Sequence, residues 1–375
     1  MKINARHSPA DTPALNRKPR IGIIGAGGIA GSHAQGFKAA AGLCSVVAVA
    51  DPDAGRTDAI HELFGPAVRI VKDYRELLAD AAIDAVDILL PHDLHMPVTV
   101  DAARAGKHVL VEKVMARTVA ECDTMIAACD AAGVSLTVCH DRRYDGAWVA
   151  IKDIIDSGAL GEVFFYKLSH NQNVAVPPGH WIRSRERLGG GAVISCLTHQ
   201  IDALRWYGGE PVAVTSMSKT IPDRMEGETV GVIIARMASG ALAELSINWC
   251  TMTGNSPQGL HYELIQVCGT KGEVFWKSRA YKGDPVMLRL YDGASPAIVE
   301  RYGRDALADF APVPAPACPG HEGCIREWVK MLRGEPAGVR TSGRACRGTV
   351  EVAEAAYRSE TAGRTISLPL GDIAV

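Results

Sequence analysis

No apolar stretch in this sequence comes near the roughly 20 residues that a membrane-spanning helix requires, so a bilayer-embedded role has no support. An excess of either charge is also missing. The formal net charge is −2, which leaves no basic footprint for a nucleic acid and no acidic tail. Ten cysteines are present, but no C-x-x-C pair occurs among them, and a chain of 375 residues needs no disulfide staples. Reduced thiols in a cytoplasmic protein are the expectation. Internal repeats and low-complexity tracts are absent. The opening residues, "MKINARHSPADTPALNRKPR", are polar and lack the apolar core of a signal peptide; 1–18 is read as a flexible arm.

What is present fits a globular protein of two domains. Hydrophobic residues make up 47% and charged residues 22%. From Arg20 to His140, short apolar runs ("RIGIIG", "SVVAVAD", "VRIV", "AVDILLP", "HVLVEK", "VSLTVCH") alternate with amphipathic stretches such as "VAECDTMIAACDAAG". Near-continuous apolar strands between helices predict a parallel sheet covered on both faces, a doubly wound α/β domain over 19–143. Beyond it the texture changes. "TVGVIIARM" and "ALAELSINW" flank Ala238-Ser239-Gly240, a hairpin signal, and "YELIQVCG" and "GEVFWK" flank Thr270-Lys271 likewise. A C-terminal α+β domain with a large, mostly antiparallel open sheet is expected over 144–375.

"IGIIGAGGIAGSH" places Gly25, Gly27 and Ala30 in a G-x-G-x-x-A arrangement, with Gly28 and Ile29 inside it, straight after the first strand. Gly25 permits the tight turn, Gly27 lets backbone amides approach a pyrophosphate, and Ala30 allows close packing of a helix whose N-terminus faces phosphates. Asp51 ends the second strand, where an acidic side chain accepts from ribose hydroxyls and repels a 2′-phosphate. This is a Rossmann dinucleotide site, with NAD favoured over NADP. Ligands of such sheets bind at the carboxyl ends of strands, which adds "LLPHDLH" (Pro91, His92, His95) and "VLVEKV" (Glu112, Lys113) to the cofactor residues. Lys113 would meet the cofactor and whatever lies across from it, or else make a surface salt bridge. His92 and His95 have no carboxylate or thiol partner in sequence reach, so no metal is expected there.

The pattern resembles the glucose–fructose oxidoreductase / inositol dehydrogenase / MocA group. The likeness rests on "GIIGAGGIAGSHAQG", "DPD", "PHDLH", "AGKHVLVEK", "RRYDGAW", "SGALGEV", "GGGAVISCLTH" and "EVAEAAYRSETAGRTISLPL", in that order over nearly the whole chain beyond the arm. It implies NAD(P)-dependent hydride transfer on a sugar, a cyclitol or a related alcohol, and an open sheet that mediates a homodimer or homotetramer. It aligns Lys113 with the lysine that contacts nicotinamide and the reacting hydroxyl, and His199 with the histidine that exchanges the hydroxyl proton. An imidazole suits that proton, because its unperturbed pKa lies near operating pH. An ammonium stabilises developing alkoxide charge.

Two departures stand out. Where the family has Asp four residues before the histidine, this chain has Ser195; where it has Pro after the lysine, this chain has Val114. A cis bond before valine costs about 2.5–4 kcal/mol, so a trans peptide is expected after Lys113. Ser195, Cys196, His199 and Asp202 are at helical spacing, which predicts a more weakly basic His199 unless Asp202 or Glu186 substitutes for the missing acid. Cys196 is read as packing. The stretch "HNQNVAVPPGHWIRSRERLGGG" leads into this helix and reads either as a substrate-facing loop or as a subunit contact. In the first case Asn173, His180, Trp181 and Arg183 are substrate-binding candidates, together with Ser195 and His199. Tyr144 and Arg142 either border the nicotinamide or, for Tyr144, belong to the core.

Three functions compete: a cytoplasmic NAD-dependent dehydrogenase of polyols or sugars; a redox-neutral, NAD-retaining lyase or glycosidase working by transient oxidation; and a non-catalytic sensor of NAD or sugar. Retention of Lys113 and His199 speaks against the sensor.

Overall fold

The computed structural model describes residues 14–251, 261–279, 282–317 and 320–371. Most of the arm, 1–13, lies outside them. Its last part is anchored: the Leu15 N–H donates to the Leu332 carbonyl at 2.9 Å, and Arg17 donates to Asp84 at 2.8 Å. The chain divides into two compact units. One holds the described residues up to Tyr144 together with 320–347; the other holds 145–317 and 348–371. The second pass into the first unit has no counterpart in a boundary drawn once at 143/144.

In the first unit, six parallel strands run in the order β3-β2-β1-β4-β5-β6: β1 (Arg20–Ile24), β2 (Ser45–Ala50), β3 (Arg69–Val71), β4 (Ala85–Ile88), β5 (His108–Glu112) and β6 (Leu136–Cys139). Helices α1 (Ala30–Ala39), α2 (Thr57–Phe64), α3 (Tyr74–Leu78), α4 (His92–Arg104) and α5 (Val119–Ala132) join them. Every residue of β4, β5 and β6 is buried, as expected of strands covered on both faces. This is the doubly wound order that reverses between β1 and β4.

The second unit begins with α6 (Gly146–Asp156) and β7 (Val163–Asn171), then α7 (Arg185–Leu188), α8 (Ala192–Ser195) and α9 (Thr198–Gly208). Strands β8 (Pro211–Lys219), β9 (Val230–Met237), β10 (Leu242–Asn248), β11 (Tyr262–Gly269), β12 (Gly272–Arg279), β13 (Lys282–Gly283) and β14 (Val286–Leu290) follow. Next come α10 (Pro296–Tyr302), α11 (Asp305–Ala308) and β15 (Ala311–Val313). Helix α12 (Gly320–Leu332) belongs to the first unit, as do the first residues of α13 (Gly343–Ala362); β16 (Ile366–Ser367) closes the order. Nine strands run β15-β14-β12-β11-β7-β10-β9-β8-β16, with β13 on β12. All neighbours are antiparallel except β7 and β10. Strand β9 alternates buried and exposed residues, the signature of a sheet covered on one face only.

Candidate active site

At the carboxyl ends of the parallel strands, the first unit builds a cradle. Gly25 has φ +97°, and a Cβ there would lie 2.5 Å from the Leu89 carbonyl oxygen, so only glycine fits. Gly27 and Gly28 differ from it. A Cβ on Gly28 would meet no described atom within 4 Å, and one on Gly27 only the Arg56 guanidinium at 3.6 Å. Packing of the protein itself does not demand these two glycines. The helix that follows, α1, starts at Ala30 with no side-chain cap on its N-terminus, which suits an anion. Asp51 closes the other side. Its Oδ2 accepts from the Ala26 N–H at 2.8 Å and its Oδ1 from the Asp53 N–H at 2.9 Å, fixing the carboxylate beside the turn. Arg56 approaches it at 3.6 Å. Pro91 precedes α4, and His92 opens that helix, buried.

Lys113 follows β5 directly, and its N–H donates to the Glu112 carboxylate at 3.1 Å. The Lys113–Val114 peptide is cis, not trans as expected. An isolated-peptide preference is outweighed here by tertiary context: Val114 is buried, and its carbonyl accepts from His95 Nδ1 at 2.8 Å.

His95 supports the same loop. It is fully buried, with Nδ1 on the Val114 carbonyl and Nε2 on the Leu90 carbonyl, both at 2.8 Å. Its polar atoms tie two strand-end loops together. Burial pushes its pKa down. Tyr144 is in the core. It is 3% exposed, its hydroxyl accepts from the Arg340 N–H at 2.8 Å, and the Arg340 guanidinium lies over its ring.

Behind the cradle lies a network that pattern reading did not find. His33, in α1, sends Nδ1 to Asp87 at 2.7 Å and Nε2 to Glu112 at 3.0 Å, with no exposure of its own side chain. Burial alone would push this imidazole down, but the two carboxylates outweigh it and raise its pKa to about 10. Glu112, which burial alone would raise, is drawn down to about 2 by the His33 hydrogen bond and charge. Burial holds Asp87 upward against the same attraction. The result is a buried imidazolium between carboxylates. It fixes Glu112, and Glu112 holds the Lys113 amide.

In the second unit, the triple glycine Gly189–Gly191 has an internal cause. A Cβ on Gly190 would meet the Tyr357 hydroxyl at 2.1 Å, and one on Gly191 the Glu228 carbonyl at 2.2 Å. The Tyr357 hydroxyl accepts from the Gly191 and Ile194 N–H groups and donates to Glu228 Oε1 at 2.7 Å. This clamp holds the start of α8. Ser195 ends α8, and α9 begins at Thr198, so the continuous helix expected through His199 is interrupted at Cys196–Leu197. The expected one-turn stacking of Ser195 on His199 therefore does not follow from helical spacing. His199 lies in the first turn of α9, 9% exposed, with its N–H on the Cys196 carbonyl at 3.2 Å. Asp202 is buried and accepts from Thr349 at 3.0 Å, whereas Glu186 is exposed.

The loop candidates divide. Asn173 Oδ1 accepts from Arg224 at 3.0 Å, and Arg183 donates to the Asp223 carbonyl at 2.8 Å. Both brace the loop against the 221–226 turn. His180 caps the turn of Trp181–Arg183 through the Ile182 N–H at 3.3 Å and stacks on Trp181, a half-buried ring.

Residues 19–140 match the family model described as the oxidoreductase family with an NAD-binding Rossmann fold, and 148–275 match the GFO/IDH/MocA C-terminal domain. An inositol 2-dehydrogenase of Rhizobium meliloti is 30% identical over 93% of this chain and 99% of its own length. The chain belongs to the GFO/IDH/MocA oxidoreductase family. A scyllo-inositol 2-dehydrogenase (NADP(+)) of Bacillus subtilis is 31% identical over 54% of this chain, which spans 56% of that relative. Among solved structures, the WlbA dehydrogenase of Bordetella pertussis, in complex with NADH and UDP-GlcNAcA, superposes with a TM-score of 0.78. It is 26% identical and covers 96% of this chain, which covers all of it. As a member of the GFO/IDH/MocA family, the chain is an NAD(P)-dependent oxidoreductase with an NAD-binding Rossmann fold. None of the described helices is long and apolar enough to cross a membrane.

Proposed function

We propose that this GFO/IDH/MocA protein moves hydride between NAD and a secondary alcohol of a sugar or cyclitol, with Lys113 and His199 serving the reacting oxygen. One observation carries the reading. The glycine cradle, Asp51, Pro91–His92 and Glu112–Lys113 all follow the carboxyl ends of strands of one parallel sheet, where such sheets bind dinucleotides. The inositol dehydrogenases among the relatives support the substrate class.

The bound nicotinamide supplies the hydride acceptor. Lys113 stabilises alkoxide charge as the O–H proton departs, and its backbone is held by Glu112. His199 takes the proton, a role in keeping with an imidazole in a nearly buried helical turn. Asp51 accepts from the adenosine ribose hydroxyls through lone pairs beyond those used by Ala26 and Asp53, and its charge opposes a 2′-phosphate. Trp181 offers an aromatic face to a sugar ring.

The sheet face that carries Phe164, Met217, Val232, Ile234 and Leu242 exposes large apolar side chains in the second unit, and we assign it to homo-oligomer association.

The test follows NADH absorbance while cyclitols, aldoses, sugar acids and glycosides are offered in turn. On an accepted substrate, His199→Ala and Lys113→Ala should each lower kcat by about 10²–10⁴-fold. Wild-type rates in both variants would remove these role assignments. Tightly held NAD with turnover of a glycoside and no net NADH would move the assignment to redox-neutral chemistry.

A further inference from the structure

The second unit contains a buried group of side chains with no part in the roles above. Strands β7 and β11 pair antiparallel with His170 directly opposite Glu263, and both side chains are buried, 4% and 2% exposed. His261, immediately before β11, is buried as well, and its ring lies edge-on to that of His170 with centroids 4.9 Å apart. Gln200, fully buried in α9, donates from Nε2 to Glu263 Oε1 at 3.1 Å. One ligand atom from each of His170, His261 and Glu263 lies within 4.8 Å of the other two.

His170 shows what this group is suited to hold. Its Nε2 lies 3.1 Å from Gln172 Oε1, an oxygen that only accepts, so Nε2 carries the proton. Its Nδ1 lies 3.3 Å from Glu263 Oε1. A ring nitrogen and a carboxylate oxygen facing each other in a buried site, with a second imidazole beside them, form a donor set for a cation. A charge-assisted hydrogen bond would close to about 2.7–2.9 Å. Two donor atoms on one tetrahedral zinc ion, each bonded at about 2.0–2.1 Å, stand roughly 3.3–3.4 Å apart. The observed separation matches the second geometry. Gln200 adds an independent sign: its Oε1 is a buried oxygen with no hydrogen-bond partner among the described residues, beside the same carboxylate.

We propose that His170, His261 and Glu263 bind a divalent ion of the zinc class. Gln172 fixes the tautomer of His170, as outer partners of metal-bound histidines do. Two histidines and a glutamate leave a fourth coordination position for an oxygen ligand. The His33, Glu112, Cys139 and His321 group in the first unit also gathers ligand types, but both His33 nitrogens are already engaged at 2.7 and 3.0 Å.

The experiment uses the full chain, stripped with a chelator and dialysed against Zn²⁺ or Co²⁺. One ion per chain by elemental analysis is expected, with the intense visible bands of four-coordinate Co²⁺. Glu263→Gln and His261→Asn should abolish retention, and Gln172→Leu should weaken it about 10–100-fold, with far-UV circular dichroism checking the fold. Should the first two variants fail to fold, the wild-type cobalt spectrum and the Gln172→Leu affinity still decide. No ion retained by the wild type, a weak hexa-aqua-like cobalt spectrum, or an affinity unmoved by Gln172→Leu would each overturn the site.

Discussion

Each unit buries a histidine against carboxylate, and the two are built to opposite ends. His33 is enclosed: both nitrogens make short contacts to carboxylates on neighbouring strands, and the imidazolium completes the arrangement. His170 is held looser, with a neutral amide on one nitrogen and a carboxylate at 3.3 Å on the other. The first is a finished ion network that braces the cofactor sheet. The second has the spacing of ligands awaiting an ion. Distance and partner chemistry, not residue type, separate a structural cluster from a binding one.

The largest effect expected from this contrast is on stability. His33→Gln leaves Asp87 and Glu112 buried without their counter-charge, and breaking a buried pair in this manner costs about 3–5 kcal/mol. Urea denaturation at neutral pH measures it. A loss below about 1 kcal/mol would mean that the carboxylates find other partners and that the network is not a brace.

A pH series sharpens the same point. The folded-state pKa of His33, about 10, exceeds the ordinary 6.5, so the folded chain holds a proton that the unfolded chain releases. Its contribution is complete below pH 6.5 and falls by about 1.4 kcal/mol per pH unit as pH rises toward 10. Glu112, depressed to about 2, contributes fully above its ordinary 4.5 and loses that contribution as pH falls toward 2. Between pH 6.5 and 8, before thiols titrate, wild-type stability should decline while His33→Gln stays flatter. Parallel curves would show that His33 is neutral in the folded chain.

These features differ in how far the sequence announces them. Strands β4, β5 and β6 are legible because they are short continuous apolar runs, and β9–β10 because Ala238–Gly240 marks their turn. Gly25, Gly27 and Asp51 are legible because the cradle is local to one strand, one turn and the next strand end. Contacts across long separations are not. Asp87 and Glu112 lie 54 and 79 residues from His33, and Tyr357 lies 166 residues from the glycine it clamps. Tyr144 is core because of Arg340, 196 residues away. The break at Cys196–Leu197 has no signal in residue spacing. His170 alternates like any strand residue, and only its pairing with Glu263 distinguishes it.

The smallest expected effect is the one that isolates the second cluster. In the metal-free chain, His170→Gln removes a contact at 3.3 Å and one neutral hydrogen bond, a loss of about 0.5–1.5 kcal/mol. Adding Zn²⁺ should change the comparison without changing the fold. At a free ion concentration about 100 times the dissociation constant, binding to the native state alone stabilises the wild type by about 2.7 kcal/mol and leaves the variant where it was. Paired urea melts, each with and without Zn²⁺, separate the two contributions. If His170→Gln without metal costs as much as His33→Gln, the second cluster is as closed as the first, and the distinction between a brace and a ligand set fails. If instead Zn²⁺ stabilises both chains equally, the ion binds elsewhere.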